Sequence, residues 1–192
     1  MTEQDVLDRC NQIEGWMHND ELRWLFQQAQ SRQLIVEIGV WQGRSTAALA
    51  MGTPGRVYGI DHWQGSVGEL ETFQSVMQTE EGRQSVYAAA VRNLQEFSDT
   101  GKCRLFSLES TYASTYPTWF RSIDLLFIDG SHDYESVRDD LVAWFSNVIP
   151  GGLMAGHDRN HPGVRRAITE FFGWRKQEIK HGPGGIWYVE SP

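Results

Sequence analysis

Asp124-Leu125-Leu126-Phe127-Ile128-Asp129-Gly130-Ser131-His132-Asp133-Tyr134 runs from an apolar, β-rich segment straight into a carboxylate followed by glycine. A buried parallel strand that ends at a ligand crevice has this form. A core strand with a polar turn has it too, so the stretch alone decides little. Its weight comes from repetition, because acids stand at the ends of three further apolar segments, at Glu37, Asp61 and Asp158.

On the N-terminal side, Leu34-Ile35-Val36-Glu37-Ile38-Gly39 reads as a first buried strand. Gly39-Val40-Trp41-Gln42-Gly43-Arg44-Ser45-Thr46 reads as a turn that opens a helix at Ser45 or Thr46. Glycines at 39 and 43 let the backbone approach a ligand, and the helix N-terminus favours a carboxylate or phosphate. The dinucleotide fingerprint needs glycine where Trp41 stands, and no Gly-Lys-Ser or Gly-Lys-Thr occurs. The loop therefore suits a smaller anionic group, such as an amino-acid carboxylate. Arg56-Val57-Tyr58-Gly59-Ile60-Asp61 is the second strand. Its acid follows Gly39 at about the 20-residue spacing that reaches ribose hydroxyls, with a loop-capping Asp as the alternative. Residues 103–108 form a third strand, which in this topology sets Glu109-Ser110 beside the adenine end of a nucleotide-like ligand.

On the C-terminal side, 134–148 reads as an amphipathic helix with Val137, Leu141, Val142 and Phe145 inward, stopped by Pro150-Gly151-Gly152. A short strand, 153–156, closes on His157-Asp158; 163–172 is a helix, and 174–180 with 185–190 form a closing hairpin. Residues 3–30 give two helical pieces divided at Gly15 and Asn19-Asp20, with His18 a surface or packing residue. Residues 65–97 exceed a normal crossover helix and suggest an insertion or lid at the crevice mouth. Phe73 there either lines a pocket or packs its own helix. Strands alternating with helices, with acids at strand ends, give an α/β doubly wound sheet in a single domain over 1–192.

Lys plus Arg number 17 against 25 Asp plus Glu, a net charge of -8 that disfavours nucleic acid and anionic membranes as partners. Cys10 and Cys103 form no metal or redox spacing, and no basic region precedes an apolar run at the N-terminus. The expectation is a soluble, cytoplasmic protein.

Taken together, the segments 36–46, 58–63 and 126–132, then Gly151-Gly152 and His157-Asp158, resemble a class I S-adenosylmethionine-dependent methyltransferase over about residues 34–172. More narrowly, the chain is similar to small-molecule O-methyltransferases of the macrocin and cephalosporin-biosynthesis type. That resemblance implies a Rossmann-like sheet of seven strands, the last antiparallel, with helices on both faces. It assigns Glu37, Gly39, Val40, Trp41, Gly43 and Ser45 to the methionine part of the cofactor, Asp61 to the ribose, and His62 and Trp63 to the adenosine pocket. The chemistry agrees: a carboxylate, an ammonium and a sulfonium suit a glycine-rich helix entrance flanked by acids.

Metal-dependent members hold magnesium through an acid after strand four and an acidic pair after strand five, which fall here on Asp129 and on His157-Asp158. Carboxylates suit magnesium, whereas imidazole at 157 suits zinc, manganese or iron, which leaves the divalent cation's identity open. The alternative is that His157-Asp158 caps the next segment. His132 stands where the macrolide-sugar enzymes place a histidine near the acceptor hydroxyl. A neutral imidazole there takes the hydroxyl proton as the oxygen attacks the methyl. The alternative is that Ser131-His132-Asp133 starts the next helix, with Ser131 or Asp133 as its cap. Arg44, Arg159 and His161 are candidates to orient a polar substrate.

The expectation is transfer of a methyl group to a hydroxyl of a sugar or other small metabolite, with Asp129 and Asp158 on a cation and His132 as base. Its rivals are a metal-dependent hydroxylase- or hydrolase-like relative and a non-catalytic binding module. Any further substrate wall would come from 65–97, the N-terminal helices or a neighbouring subunit of a homo-oligomer.

Overall fold

The computed structural model describes residues 2–65, 75–116 and 120–192, so Phe73, with the part of the expected lid from 66 to 74, lies outside the described residues. Seven strands form one sheet: β1 (Leu34–Ile38), β2 (Arg56–Asp61), β3 (Cys103–Ser107), β4 (Ile123–Ile128), β5 (Val148–Gly156), β6 (Lys180–His181) and β7 (Trp187–Glu190). Their order is β3-β2-β1-β4-β5-β7-β6. The first five run parallel, and β7 pairs antiparallel with both β5 and β6, as the resemblance implies. Chain order reverses between β1 and β4, so the crevice for a ligand opens at their carboxyl ends.

The α-helices whose bounds lie within the described residues are α1 (Glu3–Cys10), α2 (Asn19–Ala29), α3 (Arg44–Gly52), α4 (Glu80–Asn93), α5 (Gln95–Asp99), α6 (Ser110–Ala113), α7 (Tyr134–Trp144) and α8 (Pro162–Trp174). Successive strand residues point to opposite faces. Ile35, Leu125 and Phe127 therefore pack with α1 to α5 on one side. Val36, Leu126 and Ile128 pack with α7 and α8 on the other. Two covered faces explain why these strands read as nearly unbroken apolar runs. Asp124, the polar residue in β4, accepts from the backbone of Gln33 and Leu34 at 3.0 and 2.8 Å and fixes the start of β1.

The structure departs from the sequence reading in four places. Val142 is 61% exposed and Trp144 is buried, because 137, 141 and 144 share a helical stripe that 142 does not. Pro150-Gly151-Gly152 lies within β5, where a register shift opposite Ile123 and Leu125 absorbs the extra residues. The closing strands are shorter than expected: α8 extends through Trp174, and the strands cover only Lys180–His181 and Trp187–Glu190. Finally, α3 begins at Arg44, with Gly43 left-handed at its N-cap (φ 91°). No helix among the described residues is long and apolar enough to cross a membrane.

Candidate active site

A cavity of about 720 Å³ lies across the carboxyl ends of the parallel strands. Its floor depends on Gly39, whose φ is 87°. A Cβ there would stand 2.1 Å from the carbonyl oxygen of Asp129, so only glycine lets the first loop lie against the end of β4. Asp61 then ties the loop down. Its Oδ2 accepts from the backbone N–H groups of Val40 and Trp41 at 2.9 and 3.0 Å, and its Oδ1 accepts from Trp63 at 2.7 Å. Asp61 thus caps its own loop while holding the first one, and its carboxylate retains lone pairs for a further donor.

Gly39, Val40, Trp41, Ser45, Asp61, His62, Trp63, Glu109, Ser110 and Asp129 all line this cavity. Gly43 serves instead as the α3 cap. Glu37 is fully buried behind the loop and is not among the lining residues. The Thr46 hydroxyl donates to its Oε2, while Oε1 has no hydrogen-bond partner among the described residues. Burial pushes the Glu37 carboxyl up to about 8, against the pull of the Ser45 and Thr46 hydroxyls.

The β4 and β5 ends form an acidic corner. Asp129, His132 and Asp158 each offer a ligand atom, and these atoms lie within 4.8 Å of one another. Asp158 is left-handed (φ 57°), and its Oδ2 lies 2.9 Å from Nε2 of His132. His157 stands outside that donor set. Its Nε2 is 2.7 Å from Oε1 of Glu21, and its Nδ1 is 3.1 Å from Oδ2 of Asp158 and 3.7 Å from Oδ1 of Asp129.

With carboxylates before both nitrogens, the His157 ring is a double donor and carries positive charge. Burial opposes that charge, but the hydrogen bonds to Asp158 and Glu21 prevail and push its pKa up to about 11. Reciprocally, burial would raise Glu21, but the bonds from His157, Gly185 and His18 hold it at about 2. Asp158 falls well below the usual carboxylate range: burial opposes the shift, and the bonds to His132 and His157 outweigh it. Burial pushes Asp129 up to about 7, with the charge of His157 pulling it down.

The capping reading of 131–133 holds for Asp133. Asp133 caps α7 by accepting from the Ser136 N–H at 2.9 Å, and His132 still lines the cavity. His161 lines it too, with its ring 5.3 Å from that of His132. Arg44 reaches the wall, but its guanidinium donates to the carbonyls of Ile13 and Gly15 and to Asn11 Oδ1, at 3.1, 3.3 and 2.7 Å. It pins the connection between α1 and α2. Arg159 is not among the lining residues and donates to the Gly184 carbonyl at 2.7 Å.

Sequence reasoning offered the N-terminal helices only as one possible source of substrate wall and singled out none of their residues. Gly15, Trp16 and Met17 line the cavity, with the Trp16 ring 5.5 Å from that of Trp41. Glu21 fixes His157 and also accepts from the His18 N–H at 2.8 Å. The available signal was the capping-box spacing of His18 and Glu21, which marks a helix start and says nothing of a distant partner. Asp140 on α7, a buried acid within an amphipathic helix, was missed as well.

A family model described as a methyltransferase domain matches residues 36–159. Among solved structures, the O-methyltransferase NovP is similar at 19% identity and TM-score 0.66, over 90% of this chain and 79% of that one. An O-methyltransferase from Bacillus cereus in complex with SAH matches at 17% identity and TM-score 0.64, over 98% and 90% of the two chains. The SAH-bound methyltransferase PaMTH1 from Podospora anserina matches at 12% identity and TM-score 0.66, over 99% and 87%. At these identities the likeness is one of fold. A search of curated protein sequences finds no match.

Proposed function

The chain belongs to this methyltransferase family, and from that premise we propose that it transfers the methyl of S-adenosylmethionine to a hydroxyl of a sugar or other small metabolite. The observation that carries the reading is the meeting, in one cavity, of the Gly39 loop, Asp61 and the corner of Asp129, His132 and Asp158.

The residues fit the cofactor. The cavity has the volume of a small-molecule site, and its glycine floor exposes backbone where any Cβ would collide. Ser45 and the start of α3 receive the cofactor's carboxylate, Asp61 its ribose hydroxyls, and Leu108 to Ser110 its base. When bound, the cofactor supplies an electrophilic methyl on sulfur. Asp129 and Asp158 are the ligands for a divalent cation, whose chemistry there is to lower the pKa of the acceptor hydroxyl. The positive charge of His157, 3.1 Å from Asp158, opposes a cation at that corner and weakens the metal site. His132, oriented by Asp158, takes the acceptor proton.

Trp16, Met17 and Trp41 form the acceptor's apolar wall. Gly65 and Met77 also reach the cavity. A cytoplasmic setting accords with two buried, free cysteines. The test is mass spectrometry of a panel of hydroxylated metabolites incubated with the protein and S-adenosylmethionine. A one-carbon increase on oxygen supports the reading. Hydroxylated or cleaved products would support the hydroxylase- or hydrolase-like alternative.

A further inference from the structure

One wall of the cavity is built from aromatic rings that take no part in the transfer chemistry. Trp16 lines it and is 58% exposed, with its ring 5.5 Å from that of Trp41 and tilted by 44°. Both residues are held in place. Trp41 is left-handed (φ 52°), which a bulky residue adopts only where its surroundings impose it, and Asp61 imposes it by accepting from the Trp41 N–H. Trp63 adds a bond from its indole N–H to the Trp41 carbonyl at 3.1 Å. Trp16 belongs to the connection that Arg44 grips at the carbonyls of Ile13 and Gly15. A Cβ at Gly15 would stand 3.0 Å from the Arg44 side chain, so this connection lies tight on the start of α3. The lining that comes from 15–17 and 41 carries no carboxylate, amide or hydroxyl side chain. Polar side chains gather instead after β4 and β5, at Asp129, Ser131, His132, Asp158 and His161.

We propose that Trp16 is the specificity-determining residue for the acceptor, and that the acceptor is a planar phenol whose ring packs on Trp16 and Trp41. The inference rests on the methyltransferase reading above and narrows its acceptor. The division of the lining decides between acceptor classes. A saccharide carries hydroxyls round its whole rim, and those turned to the 15–17 wall would lose water without gaining a partner. A phenolic ring is polar at its hydroxyl edge alone. That edge meets the corner of Asp129, His132 and Asp158, while the rest of the ring meets indole in the offset or edge-to-face geometry that π-systems prefer. The exposed part of Trp16 is the surface that such a ring covers.

The test is calorimetric titration of the protein saturated with S-adenosylhomocysteine, using catechol, its saturated counterpart vicinal cyclohexanediol, and methyl glucoside. Catechol and the cyclohexanediol share ring size and adjacent hydroxyls and differ in the π-face; the glucoside spreads hydroxyls round its rim. Catechol is expected to bind roughly 3- to 10-fold tighter than the cyclohexanediol, the value of one aromatic contact, with the glucoside weakest. Trp16→Ala should erase that preference and Trp16→Phe should restore it. Equal or tighter binding of either saturated probe, or no binding of catechol, overturns the proposal. So does a loss of S-adenosylhomocysteine affinity in Trp16→Ala as large as the loss for catechol, which marks a structural role. Failure of S-adenosylhomocysteine to bind the wild-type protein overturns the methyltransferase reading beneath the proposal. Should Trp16→Ala fail to fold, the three wild-type titrations and Trp16→Phe still decide.

Discussion

His157 holds its Nε2 2.7 Å from Oε1 of Glu21, a residue 136 positions earlier in the chain. The same Oε1 accepts from the Gly185 N–H at 2.8 Å, so one carboxylate joins α2, the β5 end and the turn before β7. The turn is pressed close: a Cβ at Gly184 would stand 2.0 Å from that oxygen. The N-terminal helices are thereby bolted to the acidic corner, with Trp16 and Met17 carried into the cavity wall.

Removing Glu21 should leave the His157 charge buried without its best partner. Glu21→Ala is expected to cost about 3–5 kcal/mol in chemical denaturation, the usual penalty for breaking a buried pair from one side. A loss below about 1 kcal/mol would show that the pair contributes little.

Glu37 gives a pH signature. Its folded pKa of about 8 lies above the ordinary 4.5, so the folded state holds the proton more tightly than the unfolded chain. Its contribution to stability is therefore fully present below about 4.5 and declines as pH rises through 8. Glu37→Gln should remove this decline, and its melting temperature relative to wild type should rise between pH 5 and 9. A parallel pH dependence in the two proteins would contradict the buried, proton-holding state.

Two glycines with positive φ separate strain from collision. Gly101 has φ 71° with open space around it, whereas Gly39 has φ 87° and faces the Asp129 carbonyl. Gly101→Ala is expected to cost about 1 kcal/mol from backbone strain alone. Gly39→Ala should cost several times more and abolish binding of S-adenosylhomocysteine, since the loop must shift from the β4 end. Similar losses in the two variants would refute the close approach.

The fold was legible because burial on both faces writes itself into apolar runs such as 34–38 and 123–128, and Asp61 and Asp129 stand where those runs stop. Other features arise only from tertiary contact. Glu21 looks like a helix-start residue until α2 meets His157, and Asp140 looks like the polar face of α7 until the cavity is placed beside it. Pro150-Gly151-Gly152 reads as a stop because proline breaks a strand ladder, and it is tolerated where the β4 register shifts. Val142 was misplaced because the stripe continues to Trp144, a residue whose size the periodicity alone does not weigh.

The metal reading makes its own prediction. Manganese titrated into the protein should bind and raise the melting temperature. Occupancy at a hundredfold excess over the dissociation constant corresponds to about 2.7 kcal/mol. Asp158→Asn and Asp129→Asn should each lose most of that effect. Manganese stabilisation that survives both substitutions would place the cation elsewhere.

For His132, the expected loss in His132→Ala is about 10²–10⁴-fold in turnover, the range for a general base. Affinity for S-adenosylhomocysteine should stay within a few-fold, because the proposed role concerns the acceptor. Equal losses in turnover and cofactor affinity would argue for a packing role beside His161.

Calorimetric titration of the wild-type protein with S-adenosylhomocysteine bears most directly on the central claim that the Gly39–Asp61–Asp129 cavity is a methyl-donor site. Saturable binding is expected, weakened at least about tenfold in Asp61→Ala by the loss of a charged hydrogen-bond acceptor. Absence of both heat and thermal stabilisation with the wild-type protein would contradict it.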